Sequence, residues 1–240
     1  MEYNDIFNPL TLNIFADASV TVTPTETVGC PGIVAVTTNF NDRNIIIYKS
    51  SRIIRNSTNN NAEINAILDA VKFALNEKNN YKTINIFSDS KICIYGLREW
   101  VFGWSKNMID ERLYNSSGKE VSNQDVFKHI IHLIVSNNLR INLLHQKGHV
   151  TSSTNSLLNA AKVFGESNYV VLGNDGLDII QEISKYNNYI DIETKEELKK
   201  FFNGIQCVET QSIYNSDYTK VYLNIDTLDI YKNLIKNKKF

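Results

Sequence analysis

Two stretches of this chain nearly repeat each other, and each runs into an aspartate: Asn13-Ile14-Phe15-Ala16-Asp17 and Asn85-Ile86-Phe87-Ser88-Asp89. Their alternating, β-branched character marks both as strands, over 12–16 and 83–88. Between them the apolar period changes. Ile64, Ile67, Leu68, Val71, Ala74 and Leu75 recur at helical spacing across 59–77, with Ser57 or Thr58 placed to cap the start. A strand–helix–strand step of this kind predicts a crossover connection and parallel pairing. Further strands are expected at 33–38, 44–54 and 140–145, and helices at 91–104, 125–135 and 155–164. The stretch holding Pro24, Gly29, Pro31 and Gly32 reads as turn-rich, and 105–123 as polar and irregular. The fold class is α/β, with a mixed sheet flanked by helices.

Ligands in open α/β sheets gather at the carboxyl ends of parallel strands, which is where Asp17 and Asp89 fall. Singly, each aspartate would do no more than end a strand and begin a turn. Side by side, two carboxylates repel unless a cation or a proton lies between them. Glu63 adds a third acid in the first turn of the crossover helix. Alone it is a favourable charge near a helix N-terminus. Three convergent carboxylates with no cysteine among them suit a hard cation, Mg²⁺ or Mn²⁺, and not zinc.

The wider composition agrees with an enzyme-sized soluble domain. The 240 residues are 42% hydrophobic, enough to fill a core, and 25 basic side chains face 26 acidic ones. That balance excludes a strongly basic nucleic-acid coat but leaves room for a local groove. Cys30, Cys93 and Cys207 are odd in number and lack C-x-x-C spacing, so they read as reduced thiols. No apolar run approaches the ~18 residues of a membrane span, and the N-terminus lacks the features of a signal peptide. A cytoplasmic protein with no membrane association is expected.

The motifs, taken in order, resemble those of ribonuclease H, type 1, over about residues 10–165. A strand enters Asp17-Ala18-Ser19, where the family has Asp-Gly-Ser. Thr58-Asn59-Asn60-Asn61-Ala62-Glu63 matches Thr-Asn-Asn-x-x-Glu, and Phe87-Ser88-Asp89-Ser90 matches the strand into Asp-Ser. Trp100 and Trp104 follow on the next helix, and Lys147-Gly148-His149 precedes the last one. The resemblance implies a five-stranded mixed sheet and an endonuclease that cleaves the RNA strand of RNA–DNA hybrids with two divalent ions. In it Asp17 bridges both ions and Glu63 and Asp89 complete their shells. His149, on a loop, helps to orient water or release product. It also implies that Asn60 contacts RNA 2′-hydroxyls, Thr58 a phosphate of the DNA strand, and Trp100 a deoxyribose, although a helical Trp also suits a core. The family's fourth carboxylate falls at Asn159, whose amide oxygen would be the fourth ligand and weaken one ion selectively. His129, His132 and His145 read as structural.

Two other readings stand beside this one. One is another two-metal nuclease of the same fold. The other is a catalytically impaired module that binds nucleic acid or a protein, favoured by Asn159 alone. Residues 166–240 lie outside the resemblance and carry a net charge of −3 against +2 for the remainder. They hold strand-like pieces at 169–172 and 220–225 and charged helical pieces at 176–185 and 195–203. An α+β accessory domain or extension is expected there, with a boundary near Gly165. It would offer a surface for a protein partner or for self-association, and it would be dispensable for cleavage specificity.

Overall fold

The structure is a computed structural model that describes residues 1–204. The strand-like piece at 220–225 and Cys207 lie outside the described residues. Its sheet contains β1 (Thr11–Val22), β2 (Thr27–Thr38), β3 (Asn44–Ser51), β4 (Ile54–Arg55), β5 (Thr83–Ser88) and β6 (Asn142–His145). The spatial order is β3-β2-β1-β5-β6, and the two-residue β4 pairs with β2 as a sixth strand. β1, β2 and β3 run antiparallel, whereas β5 and β6 join β1 in parallel. The crossover helix α2 (Asn59–Glu77) is capped by Thr58, whose Oγ1 accepts from Asn61 N at 3.2 Å.

The twin sequences pair in register: Asn13 lies opposite Asn85 and Phe15 opposite Phe87. Alternation puts Asn13, Phe15 and Asp17 on one face of β1 and their counterparts on the same face of β5. The phenyl rings stack, with centroids 4.8 Å apart. The asparagines form a ladder: Asn142 Nδ2 donates to Asn85 Oδ1 at 2.8 Å and Asn85 Nδ2 to Asn13 Oδ1 at 2.9 Å. Asn13 Nδ2 then donates to the Ile6 carbonyl, again at 2.9 Å. This buried chain ties three parallel strands to α1 (Tyr3–Ile6).

Two apolar cores cover the two faces. Leu12, Ile14, Ala16, Ile33 and Ile86 meet α2 and α5 (Gln124–Ser136) on one side. Phe15, Val34, Val36, Phe87 and Leu144 meet α6 (Thr154–Asn168) and α7 (Gly176–Phe202) on the other. The helix expected over 91–104 is three pieces: α3 (Lys91–Tyr95), a π-helical turn (Gly96–Trp100) and α4 (Val101–Lys106).

Several expectations change. The Pro/Gly stretch from 27 onward is strand. Gly29 and Gly32 serve close approach: a Cβ on Gly29 would lie 2.8 Å from Ser57 Oγ, and one on Gly32 2.6 Å from Thr194 Cγ2. Pro31 is tolerated at the break between β3 and β4, where its carbonyl accepts from Arg52 N. Residues 169–172 are not strand, and the two helical pieces are one 27-residue helix. Its stripe of Ile179, Ile183, Tyr186, Ile190 and Leu198 is buried. Gly165 lies inside α6.

Two outcomes follow from this packing. Asn85→Leu leaves Asn13 Oδ1 and Asn142 Nδ2 without partners and is expected to lower unfolding free energy by about 2–5 kcal/mol. A chain ending at residue 165 bares the Phe15–Val34–Val36 face and is expected to lose cooperative unfolding. Urea titration of each checks this, and parent-like midpoints would refute the assignments.

Candidate active site

Asp17 sits near the middle of the long strand β1, Asp89 just past β5, and Glu63 on the first turn of α2. One carboxylate oxygen from each lies within 4.8 Å of the others. Glu63 Oε2 is sealed from solvent and has no hydrogen-bond partner. A buried, unpartnered carboxylate oxygen among all-oxygen donors is what a divalent cation would satisfy, so these residues fit Mg²⁺ or Mn²⁺.

The electrostatics express the same crowding. Burial pushes the Asp17 carboxyl up to about 8, repulsion from Asp89 adds to this, and the Ala18 N–H, donating to Oδ1 at 2.7 Å, opposes it. Burial, then Asp17, Asp89 and Asp191, raise Glu63 well above the carboxylate range. Burial also raises Asp89, with a hydrogen bond from Asn187 and the His149 ring working against it. Asn187 is itself buried on α7, and its Oδ1 accepts from Gln146 Nε2 at 2.5 Å.

The Lys147-Gly148-His149 segment owes its glycine to Asp89: a Cβ on Gly148 would lie 2.1 Å from Asp89 Oδ2. His149 adopts a left-handed φ of 52° and is exposed, with Nδ1 3.9 Å from Asp191 Oδ2. His145, by contrast, is buried with Nδ1 2.9 Å from Ser167 Oγ, and burial lowers its pKa.

Asp191 is the acid that sequence reasoning missed. It projects from α7, is only 16% exposed, and repels all three cluster carboxylates. Asn159, expected at the fourth position, is exposed on α6. The missed signal was the continuous apolar stripe from Ile179 to Leu198, which would have carried one helix through Asp191.

Two clefts flank the N-terminus of α2. One, of about 720 Å³, is bounded by Asn59, Glu63, His149 and Asp191, with the end of α7 opposite. The other, of about 610 Å³, is lined by Asn60, Trp100 and Trp104. Trp100 is 38% exposed, whereas Trp104 is buried against Phe127. Thr58 is exposed at the cap.

Sheet order and crossover helix together define a ribonuclease H-like fold, and its acidic triad could hold a metal ion. The RNase H family model matches residues 10–163, and the chain belongs to that family. Ribonuclease HI of Haemophilus influenzae is 31% identical over 112 residues, which are 47% of this chain and 66% of that protein. Human ribonuclease H1 is 33% identical over 98 residues, 41% of this chain and 32% of that protein. The chain thus matches just under two thirds of the bacterial relative and about a third of the human one. Among solved structures, a type 1 RNase H with the type 2 active-site motif aligns with a TM-score of 0.47 at 19% identity, covering 68% of this chain and 75% of that one. Among the described residues no helix is long and apolar enough to cross a membrane.

The three carboxyls titrate above their unfolded values near ~4. Their contribution to stability is therefore full below that pH and is lost as pH rises through the folded range, about 8 for Asp17. In chelator, the thermal midpoint is expected to fall between about pH 5 and pH 8, and to fall less steeply in Asp17→Asn. Parallel curves for parent and variant would refute the assignment.

Proposed function

We propose that this chain hydrolyses the RNA strand of RNA–DNA hybrids as an endonuclease dependent on divalent cations. The observation that carries the reading is the convergence of Asp17, Glu63 and Asp89 within 4.8 Å, on a chain whose residues 10–163 match the RNase H family. Asp17, Glu63 and Asp89 would hold two Mg²⁺ ions, with Mn²⁺ as a substitute, and Asp191 faces them as a fourth acid. When bound, such ions supply an acidified water and positive charge beside the reacting phosphate.

The remaining work belongs to the chain. Gly148 brings its loop hard against Asp89, which limits the directions that carboxylate can take. His149, exposed beside Asp191, can pass a proton between solvent and the reacting water or the departing oxygen. Discrimination of RNA from DNA rests on the 2′-hydroxyl, within reach of short polar side chains at a wide minor groove. Asn60 is exposed at the start of α2 and suits that contact. Thr58 offers its hydroxyl proton to a DNA phosphate, because its oxygen already caps the helix. Trp100 presents a half-open ring face to a deoxyribose.

The reading of an impaired binding module rests on Asn159, and the acid that faces the cluster from α7, Asp191, supports the catalytic reading over it. Cleavage of a labelled hybrid is expected to need Mg²⁺ and to fall by at least about 10²-fold in Asp17→Asn and in Asp89→Asn. Asp191→Asn is expected to raise the Mg²⁺ concentration at half-maximal rate, and Asn159→Asp to leave it unchanged. Full activity in chelator would reject the mechanism. A metal titration shifted by Asn159→Asp but not by Asp191→Asn would return the fourth position to α6.

A further inference from the structure

We propose that the C-terminal half of α7 forms a wall along which the sugar–phosphate backbone of the cleaved strand runs, with Lys195 and Lys199 as its phosphate contacts. The proposal rests on the hydrolytic reading above and extends it to residues beyond the family match, which ends at residue 163.

The cleft of about 720 Å³ joins the two parts. Glu63, His149 and Asp191 bound it on the catalytic side, and Lys195, Lys199 and Phe202 bound it on the other. A strand whose phosphate lies at the acidic cluster and that follows this cleft passes α7. Lys195 and Lys199 are both exposed and stand one helical turn apart. Like charges at that spacing repel slightly, although Lys199 also stands in the last turn of α7, where a cation is favoured. The other two lysines on α7 do not line the cleft: Lys185 pairs with Glu182 at 3.3 Å and Lys200 with Glu197 at 2.5 Å. Lys195 pairs along the helix with Asp191 at 2.7 Å, the acid that faces the cluster, and both side chains line the cleft.

Charge balance points the same way. A polyanion approaching four carboxylates needs cations at the rim to offset the repulsion. The segment 105–123 supplies little net charge, since Arg112 is taken by Glu120 at 3.3 Å. α7 is also fixed relative to Asp17. Thr194 Oγ1 lies 2.8 Å from Ser19 Oγ in a buried contact, and Glu193 is held by Lys49 at 2.8 Å. The two ammonium groups therefore hang from a backbone whose distance to the cluster is set by packing.

The test is hybrid binding against salt, measured by fluorescence anisotropy with the Asp17→Asn protein to prevent cleavage. Each phosphate contact contributes roughly 0.7–0.9 to the slope of log K against log salt concentration. Lys199→Ala is expected to reduce the slope by about that amount, and the double variant Lys195→Ala/Lys199→Ala by about twice as much. With Asp17 restored, Lys199→Ala is expected to raise KM several-fold and leave kcat within about twofold. Lys200→Ala, on a paired side chain that does not line the cleft, is expected to match the parent in both assays. A double variant whose salt line runs parallel to the parent's would overturn the proposal, as would an equal effect of Lys200→Ala. A parent protein that binds hybrid with the full slope but never cuts it would reject the hydrolytic reading and leave the wall standing.

Discussion

The ladder of amides through Asn142, Asn85 and Asn13 is the interaction on which the rest of the molecule depends. An apolar strand interior tolerates slippage, because one isoleucine packs much like another. A buried amide does not, since a shift of one residue would turn every member of the ladder to the opposite face and leave its hydrogen bonds unmade. Two residues further along each strand lie the stacked Phe15 and Phe87, and two further still Asp17 and Asp89. The acidic pair is thus the outer end of a register that amides fix from within. The repulsion between the two acids is borne by a frame whose order does not come from them.

Much of this was legible in the sequence. The twin strand ends, the crossover helix and the third acid at Glu63 were read from periodicity and residue type, and the cap fell to Thr58, one of the two residues considered. The reading failed where a residue's local habit was overruled by a distant neighbour. Gly29 and Gly32 look like turn formers, but they thin the sheet where Ser57 and Thr194 press against it. Asn187 and Tyr186 look like a helix end. Instead both are buried, Tyr186 beside Phe15 and Asn187 against Gln146, and the helix runs through them. Asp191 could not be found from motif spacing, because the helix that carries it begins beyond the matched residues.

α7 also changes what the site is made of. Motif residues supply the carboxylates and the loop, but the environment that sets their ionisation includes Asn187 and Asp191. Burial is what lifts Asp17 and Glu63, and α7 lies on the same face of the sheet as Asp17. A family member without such a helix would have to seal that face by other means. The acidity of its cluster would be tuned by whatever did so.

The pairing of β1 with α7 has a consequence in time. Phe15, Val34 and Val36 are made early, and the isoleucines that cover them are made some 140–170 positions later. At typical synthesis rates roughly ten to thirty seconds separate the two. Over that interval the nascent chain holds a bare aromatic and aliphatic sheet face, the kind of surface that invites wrong partners. Contacts so distant along the chain also slow the closing step of folding. The helix that closes the face beside the acidic cluster is therefore also the segment whose late synthesis leaves that face uncovered longest.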